Sequence, residues 1–102
     1  MANCELMPYQ KDLIKALKPY IENQTLKDTW IVASFSDRET VVIYNIDPDL
    51  EEHGWNHIRR SDLAKFVECG FLSITGYDQD GLPNNYMVNE ANIFGAIERN
   101  FK

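Results

Sequence analysis

Three features are scarce in this sequence: cysteine, long apolar runs and positive charge. Its two cysteines, Cys4 and Cys69, are too few for a disulfide framework. The longest uncharged apolar run, residues 30–35, is far shorter than the roughly 20 residues that a membrane-spanning helix needs. The first residues lack a basic region followed by an apolar stretch, so they do not predict a signal peptide. We therefore expect a cytoplasmic protein with no membrane partner.

Positive charge is outnumbered in the chain as a whole. Ten Lys and Arg residues stand against sixteen Asp and Glu residues, which gives a net charge of −6. Most of the excess lies in residues 27–58, which carry two basic and seven acidic side chains, whereas residues 59–70 carry three basic and two acidic ones. An acidic domain repels a phosphate backbone at long range, so this balance opposes nucleic-acid binding unless a local basic face overrides it.

The remaining composition is typical of one folded unit. The 102 residues are 44% hydrophobic and 25% charged, which is enough for one core and too little for two ordinary domains. No repeat, low-complexity tract or linker divides the chain. The sequence therefore predicts a single domain over residues 1–102.

The N-terminal part of the chain predicts a helix. Pro8 suits the first helical turn, because its missing N–H is not needed there. Pro19 should kink the helix or restart it, because it removes a hydrogen bond and crowds the preceding turn. The apolar stripe of this helix follows helical spacing and comprises Leu13, Ile14, Leu17 and Ile21.

The middle of the chain predicts a β-hairpin and a short helix. Residues 30–35 and 40–44 are rich in strand formers, and the polar residues 36–39 between them have the length of a hairpin turn. Asp49 is placed to cap a short helix, with Glu52 completing a capping box.

The C-terminal half predicts a helix, two strands and a second helix. Ser61 is a candidate N-cap for a helix that ends at Gly70. Strands are predicted over residues 71–77 and 86–88. Asn89 is placed to start the last helix, whose apolar stripe comprises Ile93, Phe94, Ile97 and Phe101.

This half of the chain resembles winged-helix domains over roughly residues 60–101. The likeness rests on the helix and strand of residues 61–74, on the turn Asp78-Gln79-Asp80-Gly81 as the wing tip, and on residues 86–89 as the returning strand. Gly81 in this turn is expected to take a positive φ. The resemblance implies an α+β fold: a single winged-helix-like domain with an N-terminal helix, a β-hairpin, a central helix, a two-stranded wing and a C-terminal helix.

In the members of this family that bind DNA, the third helix reads bases and the wing touches phosphate. The residues that could make such contacts here are Arg59, Arg60 and Lys65, with Lys11 and Lys15 on the first helix. The wing turn carries two carboxylates and no Lys or Arg, and carboxylates facing phosphates are unfavourable. A DNA-binding transcriptional regulator, acting as a homodimer, is therefore an alternative interpretation.

No pattern in the sequence predicts catalysis, a cofactor or a metal ion. His53 and His57 have a metal-ligand spacing, but the Glu of the zinc motif is missing between them. The turn at Asp78 and Asp80 begins like a calcium loop, but the later ligand positions hold Leu82 and Pro83. We therefore expect a protein that is not an enzyme.

The acidic run after the hairpin predicts either a solvated face or a surface for a basic partner. A nearby aromatic side chain would suit the centre of an interface. The leading hypothesis is a non-enzymatic protein-interaction or regulatory module that binds a protein partner. A third hypothesis is a small acidic inhibitor, of the kind that phages encode, that imitates nucleic acid. The interaction residues expected from the leading hypothesis are Asp47, Asp49, Glu51, Glu52 and Trp55.

Overall fold

The computed structural model describes residues 5–100, with side chains for residues 5–99. Cys4 and Phe101, which figured in the sequence predictions, lie outside the described residues. Residues 5–100 form five helices and five strands, so the predicted α+β class is confirmed. In chain order these are α1 (Pro8–Ala16), α2 (Lys18–Glu22), β1 (Thr29–Ser34), β2 (Thr40–Ile43), α3 (Pro48–Glu52), β3 (His57–Arg59), α4 (Arg60–Glu68), β4 (Leu72–Tyr77), β5 (Pro83–Val88) and α5 (Glu90–Asn100).

The described strands form one antiparallel sheet in the order β3-β2-β1-β5-β4. β1 divides its pairing between two neighbours. Its first half, residues 29–31, pairs with residues 85–87 of β5, and its second half, residues 32–34, pairs with residues 41–43 of β2. The hairpin β1–β2 and the two strands predicted as a wing, β4–β5, therefore belong to the same sheet.

The helices cover one face of this sheet. Every second strand residue points into the core, where Trp30, Val41 and Tyr86 are at most 2% exposed. They pack in one cluster with helical side chains such as Leu13 and Phe66. Within residues 5–100, no helix packs on the opposite face of the sheet, and many of its side chains are exposed.

Several predictions from local residues are confirmed. α1 ends at Ala16 and α2 begins at Lys18, so the chain restarts its helix at Pro19, which lies in the first turn of α2. Gly70, just after α4, has a φ of +82°, and Gly81 in the turn between β4 and β5 has a φ of +83°. Both values lie in the left-handed region that glycine adopts without strain.

Two predicted caps are wrong. α4 begins at Arg60, with Arg59 as its N-cap, because the Asp62 carboxylate rather than the Ser61 hydroxyl satisfies a backbone N–H there. α3 begins at Pro48, whose fixed φ suits the first helical position, so its N-cap is Asp47 rather than Asp49.

The strands differ from the prediction in two places. β3 was not predicted, because three residues are too few to show an alternating pattern. β5 begins at Pro83, three residues earlier than expected, and Pro83 is tolerated because it is the first residue of the strand. Within residues 5–100, no helix combines the length and the apolar character that crossing a bilayer requires.

Gly70 offers a test of the helix end. A Cβ added to Gly70 would meet the Asn92 side chain at 3.5 Å, an ordinary contact, so the cost of a substitution comes from the backbone. We expect Gly70→Ala to lower the free energy of unfolding by about 1–2 kcal/mol, because other residues are strained at this φ. Urea unfolding measures the change. Gly95→Ala, inside α5, should not lower it, since alanine favours helix; equal losses in both variants would contradict this account.

Asp37 in the β1–β2 turn predicts an acid-sensitive hairpin. Its carboxylate accepts hydrogen bonds from the backbone N–H groups of Thr40 and Glu39 at 2.9 and 3.0 Å, and from the Thr40 hydroxyl at 2.9 Å. These bonds, the Thr40 N–H foremost, lower the pKa of Asp37 below its usual 3.8. A carboxyl group with a lowered folded pKa stabilises the fold above the unfolded pKa, and this contribution disappears as the pH falls through the folded value.

We therefore expect Asp37→Asn to weaken the loss of stability on acidification. Urea unfolding at pH values between about 6 and about 2 gives the dependence. Asp12→Asn, at an exposed position of α1, is the matched control. An unchanged acid dependence in Asp37→Asn, or an equal change in Asp12→Asn, would contradict the assignment.

Candidate functional site

A buried carboxylate joins three parts of the fold at the start of α4. Asp62 is 3% exposed. Its Oδ1 accepts hydrogen bonds from the Tyr9 hydroxyl at 2.5 Å and from the Gln10 side-chain amide at 2.8 Å, and its Oδ2 accepts one from the Arg59 backbone N–H at 3.0 Å. These contacts tie α1 to the junction of β3 and α4. A buried charge with donors on both oxygens is compensated, so Asp62 is a stable part of the structure.

The same contacts affect Tyr9. The Asp62 carboxylate accepts the phenol's hydrogen bond, and this raises the pKa of Tyr9, with burial adding to the effect. The positive charge of Arg59 acts in the opposite direction, so the guanidinium lies close enough to influence the phenol. Tyr9 therefore stays protonated and donates to Asp62 at neutral pH.

A cleft of about 620 Å³ lies beside this carboxylate, at the β3 edge of the sheet. We call it the edge cleft. The start of α1 and its N-cap contribute one side, the turn after α3 contributes another, and β3 contributes the floor. Its lining comprises Met7, Tyr9, Thr40, His53, Gly54, Trp55, His57, Ile58, Arg59 and Asp62.

Hydrogen bonds orient both imidazoles of the edge cleft. His53 Nδ1 lies 2.7 Å from the Asp49 carbonyl oxygen, which can only accept, so this nitrogen carries the proton. His57 Nδ1 lies 3.2 Å from the Asn56 side-chain oxygen, and the same reasoning applies. The Nε2 atoms of His53 and His57 are thus the nitrogens left for other contacts.

The Arg59 side chain, unlike the Asp62 carboxylate, has no hydrogen-bond partner among the described residues. Its backbone N–H is bonded to Asp62, but within residues 5–100 its guanidinium makes no hydrogen bond or salt bridge. The described residues hold no group of three or more His, Cys, Asp or Glu side chains placed to bind a metal ion. The arrangement is suited to holding a ligand by charge, hydrogen bonds and apolar contact.

The backbone of the β3 edge is closed to a further strand. Ile58 faces β2 in the ladder, so the N–H groups of His57 and Arg59 point away from it. The His57 N–H donates to the Gly54 carbonyl at 3.2 Å, and the Arg59 N–H donates to Asp62. Because both donors are occupied, side chains rather than strand pairing determine what this edge can bind.

The uncovered side of the sheet is the second candidate surface. We call it the open face and define it by its large apolar and aromatic side chains. Tyr44 is 67% exposed, and Phe35, Met87 and Ile31 are 44–47% exposed. The Phe35 ring meets the His57 ring edge-on at a centroid distance of 6.0 Å. The open face comprises Ile31, Phe35, Val42, Tyr44, His57 and Met87.

The open face has no carboxylate at its outward-facing strand positions. Residues 29, 31, 33, 40, 42, 57, 59, 73, 85 and 87 occupy these positions, and none of them is Asp or Glu. Acidic residues lie instead at both ends of the β1–β2 hairpin, at Asp28 before β1 and at Asp37 and Glu39 in the turn. Negative charge thus lies at both ends of the hairpin and not at the outward-facing strand positions.

The predicted acidic surface is divided by the structure. Asp47 is 4% exposed, and its carboxylate oxygen lies 3.4 Å from the Lys27 backbone nitrogen, so it is not available to a partner. Asp49 is exposed and accepts a hydrogen bond from the Tyr20 hydroxyl at 3.0 Å. Glu51 and Glu52 are exposed on α3. Trp55 is half-buried against the core and lines the edge cleft.

The predicted basic residues differ in the contacts that their side chains make. Arg60 donates from its guanidinium to the Pro83 carbonyl at 2.7 Å, to the Arg38 carbonyl at 3.1 Å and to the Ser34 hydroxyl. Lys65 lies 3.8 Å from Glu68, one turn further along α4. Arg59 faces the edge cleft, while Lys11 and Lys15 are exposed on α1.

The turn between β4 and β5, predicted as the wing tip, is acidic. Asp78 accepts hydrogen bonds from the N–H groups of Asp80 and Leu82 at 2.8 and 3.0 Å and so shapes the turn. Asp80 lies 3.8 Å from Arg38 of the other hairpin, at the surface. This contact neutralises part of the charge but adds no basic group that could face phosphate.

Sequence reasoning missed Asp62, Tyr9 and the open face. The spacing of Arg59 and Asp62 carried a signal, because an acidic residue three positions after an N-cap can accept from the N-cap's backbone N–H. The contacts of Asp62 with α1 cross more than fifty residues, and no local pattern reveals them.

Comparisons of the chain with protein-family models, with curated proteins and with solved structures found no match. The geometry of the edge cleft and of the open face is therefore the basis for inferring function.

Proposed function

We propose that this protein is a non-enzymatic protein-interaction module, acting as a regulator, that docks another protein on its open face. The observation that carries the proposal is the cluster of large apolar side chains left exposed on the helix-free side of the sheet, with Tyr44 the most exposed of them. Scattered exposed apolar residues are normal, but a contiguous cluster on one face is typical of an interaction surface.

The charges around the open face indicate what kind of partner fits. Its outward strand positions carry no Asp or Glu, while Asp28, Asp37 and Glu39 lie beyond its two ends. The whole chain has a net charge of −6. A complementary partner presents an apolar centre with Lys and Arg residues around it, since apolar burial supplies affinity and the rim charges guide association.

The frame on which this surface sits is proposed to be winged-helix-like. The order α4, Gly70, β4, turn, β5 and α5 supports this, as does the close succession of α4 and β4. The sheet is larger than a wing alone, because β5 continues into β1 and the hairpin. A partner that docks on the open face would therefore contact the hairpin as well as the wing strands.

The test compares binding by surface variants to a purified partner. The partner is first recovered from the native cell with the intact chain, and its affinity is then measured by surface plasmon resonance. Tyr44→Glu and Met87→Glu change the open face at exposed positions, so the fold should be retained. Ala91→Glu, on the exposed side of α5, adds the same charge elsewhere and is the matched control.

We expect both open-face variants to weaken the complex by about tenfold or more, mainly through faster dissociation, and Ala91→Glu to leave it unchanged. The double variant Glu51→Lys/Glu52→Lys tests whether the exposed carboxylates of α3 also contact the partner. Equal binding by all variants, or recovery of no specific partner, would overturn the proposal. So would tight, salt-dependent binding to duplex DNA that Arg59→Ala abolishes, which is the outcome expected of a DNA-binding regulator.

A further inference from the structure

The edge cleft combines an unused cation with apolar walls. Each Asp62 oxygen already accepts at least one hydrogen bond, whereas the Arg59 guanidinium keeps all its donors free within residues 5–100. We propose that the edge cleft binds a small organic anion in which a carboxylate is attached to an apolar ring. This binding site shares His57 with the open face, but the inference does not depend on the proposed function.

The size of the edge cleft fits a small molecule. Its volume of about 620 Å³ lies within the range of roughly 300–1,000 Å³ that is usual for ligand pockets. Ile58 forms a buried part of the floor, and Met7 and Trp55 provide apolar contact at the sides. An apolar ring can therefore be covered by side chains that already stand in place.

The polar groups favour an anion. A guanidinium presents paired N–H donors that match the two oxygens of a carboxylate. Asp62 is the single carboxylate among the residues that line the edge cleft, and its hydrogen bonds leave it little capacity to bind a cation. Asp37 is close enough for the charge of Arg59 to lower its pKa, but its oxygens are bonded to Thr40 and Glu39.

The His side chains define where the carboxylate would lie. His57 and Arg59 are two residues apart on β3, so their side chains emerge on the same side of the strand. Hydrogen bonds to Nδ1 fix both imidazoles, which leaves Nε2 of His53 and His57 to contact a ligand or a bridging water. The aromatic ring of the ligand would then extend toward Trp55.

The experiment uses 2-naphthoate as the probe and 2-naphthalenemethanol as its uncharged counterpart. Binding to the full chain is measured by two-dimensional NMR, which gives both the dissociation constant and the location, including the Trp55 indole signal. Arg59→Ala removes the proposed anion contact, Arg59→Lys keeps the charge without the paired donors, and Lys65→Ala removes a cation of α4 that lies outside the edge cleft.

We expect 2-naphthoate to bind at least about tenfold more tightly than the alcohol, with shifts at Trp55 and in β3. Arg59→Ala should remove this difference, Arg59→Lys should restore part of it, and Lys65→Ala should leave it unchanged. Equal affinity for both compounds, insensitivity to Arg59→Ala, or shifts confined to Ile31, Tyr44 and Met87 would overturn the proposal. Because the open face is probed separately, failure here leaves the docking test unaffected.

Discussion

Asp62→Ala is expected to lower the free energy of unfolding by about 3 kcal/mol, because it removes a buried carboxylate with three hydrogen-bond donors. The carboxylate is 3% exposed and receives hydrogen bonds from Tyr9, Gln10 and the Arg59 backbone. Removing it leaves the buried Gln10 amide and the part-buried Arg59 N–H without their acceptor, and an unsatisfied buried donor costs about 1–3 kcal/mol.

Asp62→Asn removes the charge of this side chain but keeps its size and shape. Asparagine keeps one acceptor oxygen but places an NH₂ group where the second oxygen accepted a hydrogen bond, so a substantial part of the loss should remain. Urea unfolding of the wild type, Asp62→Ala and Asp62→Asn measures the series. Asp12→Ala, an exposed Asp of α1, is the control and should change stability by less than about 0.5 kcal/mol.

Double-mutant cycles test whether the Asp62 contacts are responsible. Tyr9→Phe removes the bond from the phenol, and Gln10→Ala removes the bond from the amide. Each change should cost less in the Asp62→Ala background than in the wild type, since its partner is already missing. Strict additivity in both cycles would show that Asp62 stabilises the protein by another route.

The sequence predicts most elements of this fold because proline and glycine determine the backbone conformation locally. Pro8, Pro19, Gly70 and Gly81 each restrict or free the backbone at one position, and the structure has a boundary or a turn at each of them. The N-caps failed for a related reason. Ser61 has the right residue type, but Asp62 accepts from the backbone N–H of Arg59, and the helix starts two residues earlier than a Ser61 cap would place it.

The arrangement of the sheet was not predictable from local sequence. β1 pairs with β5, more than fifty residues later, and nothing in either segment specifies that register. The open face follows from this pairing, because Ile31 and Met87 become neighbours on an uncovered surface only when β1 and β5 are adjacent. The edge cleft depends in the same way on the distant contact of Tyr9 with Asp62.

Neighbouring residues of similar type can have opposite roles, as Arg59 and Arg60 show. From sequence both are candidates for phosphate contact, since both lie at the start of the central helix. In the structure Arg59 extends into the edge cleft, whereas Arg60 spans the gap that opens where β1 leaves β5 to pair with β2. Arg59 is the last residue of β3 and Arg60 is the first residue of α4, so the backbone turns from strand to helix between them and the two side chains point in different directions.

Arg60→Ala is expected to destabilise the protein by about 2–3 kcal/mol. The guanidinium donates to the Pro83 carbonyl on β5, to the Arg38 carbonyl in the hairpin turn and to the Ser34 hydroxyl on β1. No other described side chain donates hydrogen bonds to both hairpins. Without the guanidinium, these acceptors can bond only to water. They lie where β1 changes its pairing partner from β5 to β2, so we expect both hairpins to become less stable together.

Arg60→Lys should recover little of this stability, because an ammonium group cannot reach three acceptors in the fixed geometry of a guanidinium. Arg59→Ala is the matched control and should change the free energy of unfolding by less than about 0.5 kcal/mol. Amide hydrogen exchange should show reduced protection in β1 and β5 of Arg60→Ala while α1 keeps its protection. Equal stability of Arg59→Ala and Arg60→Ala would contradict this role. In that case Arg60 would be available for the phosphate contact that the DNA-binding interpretation assigns to it.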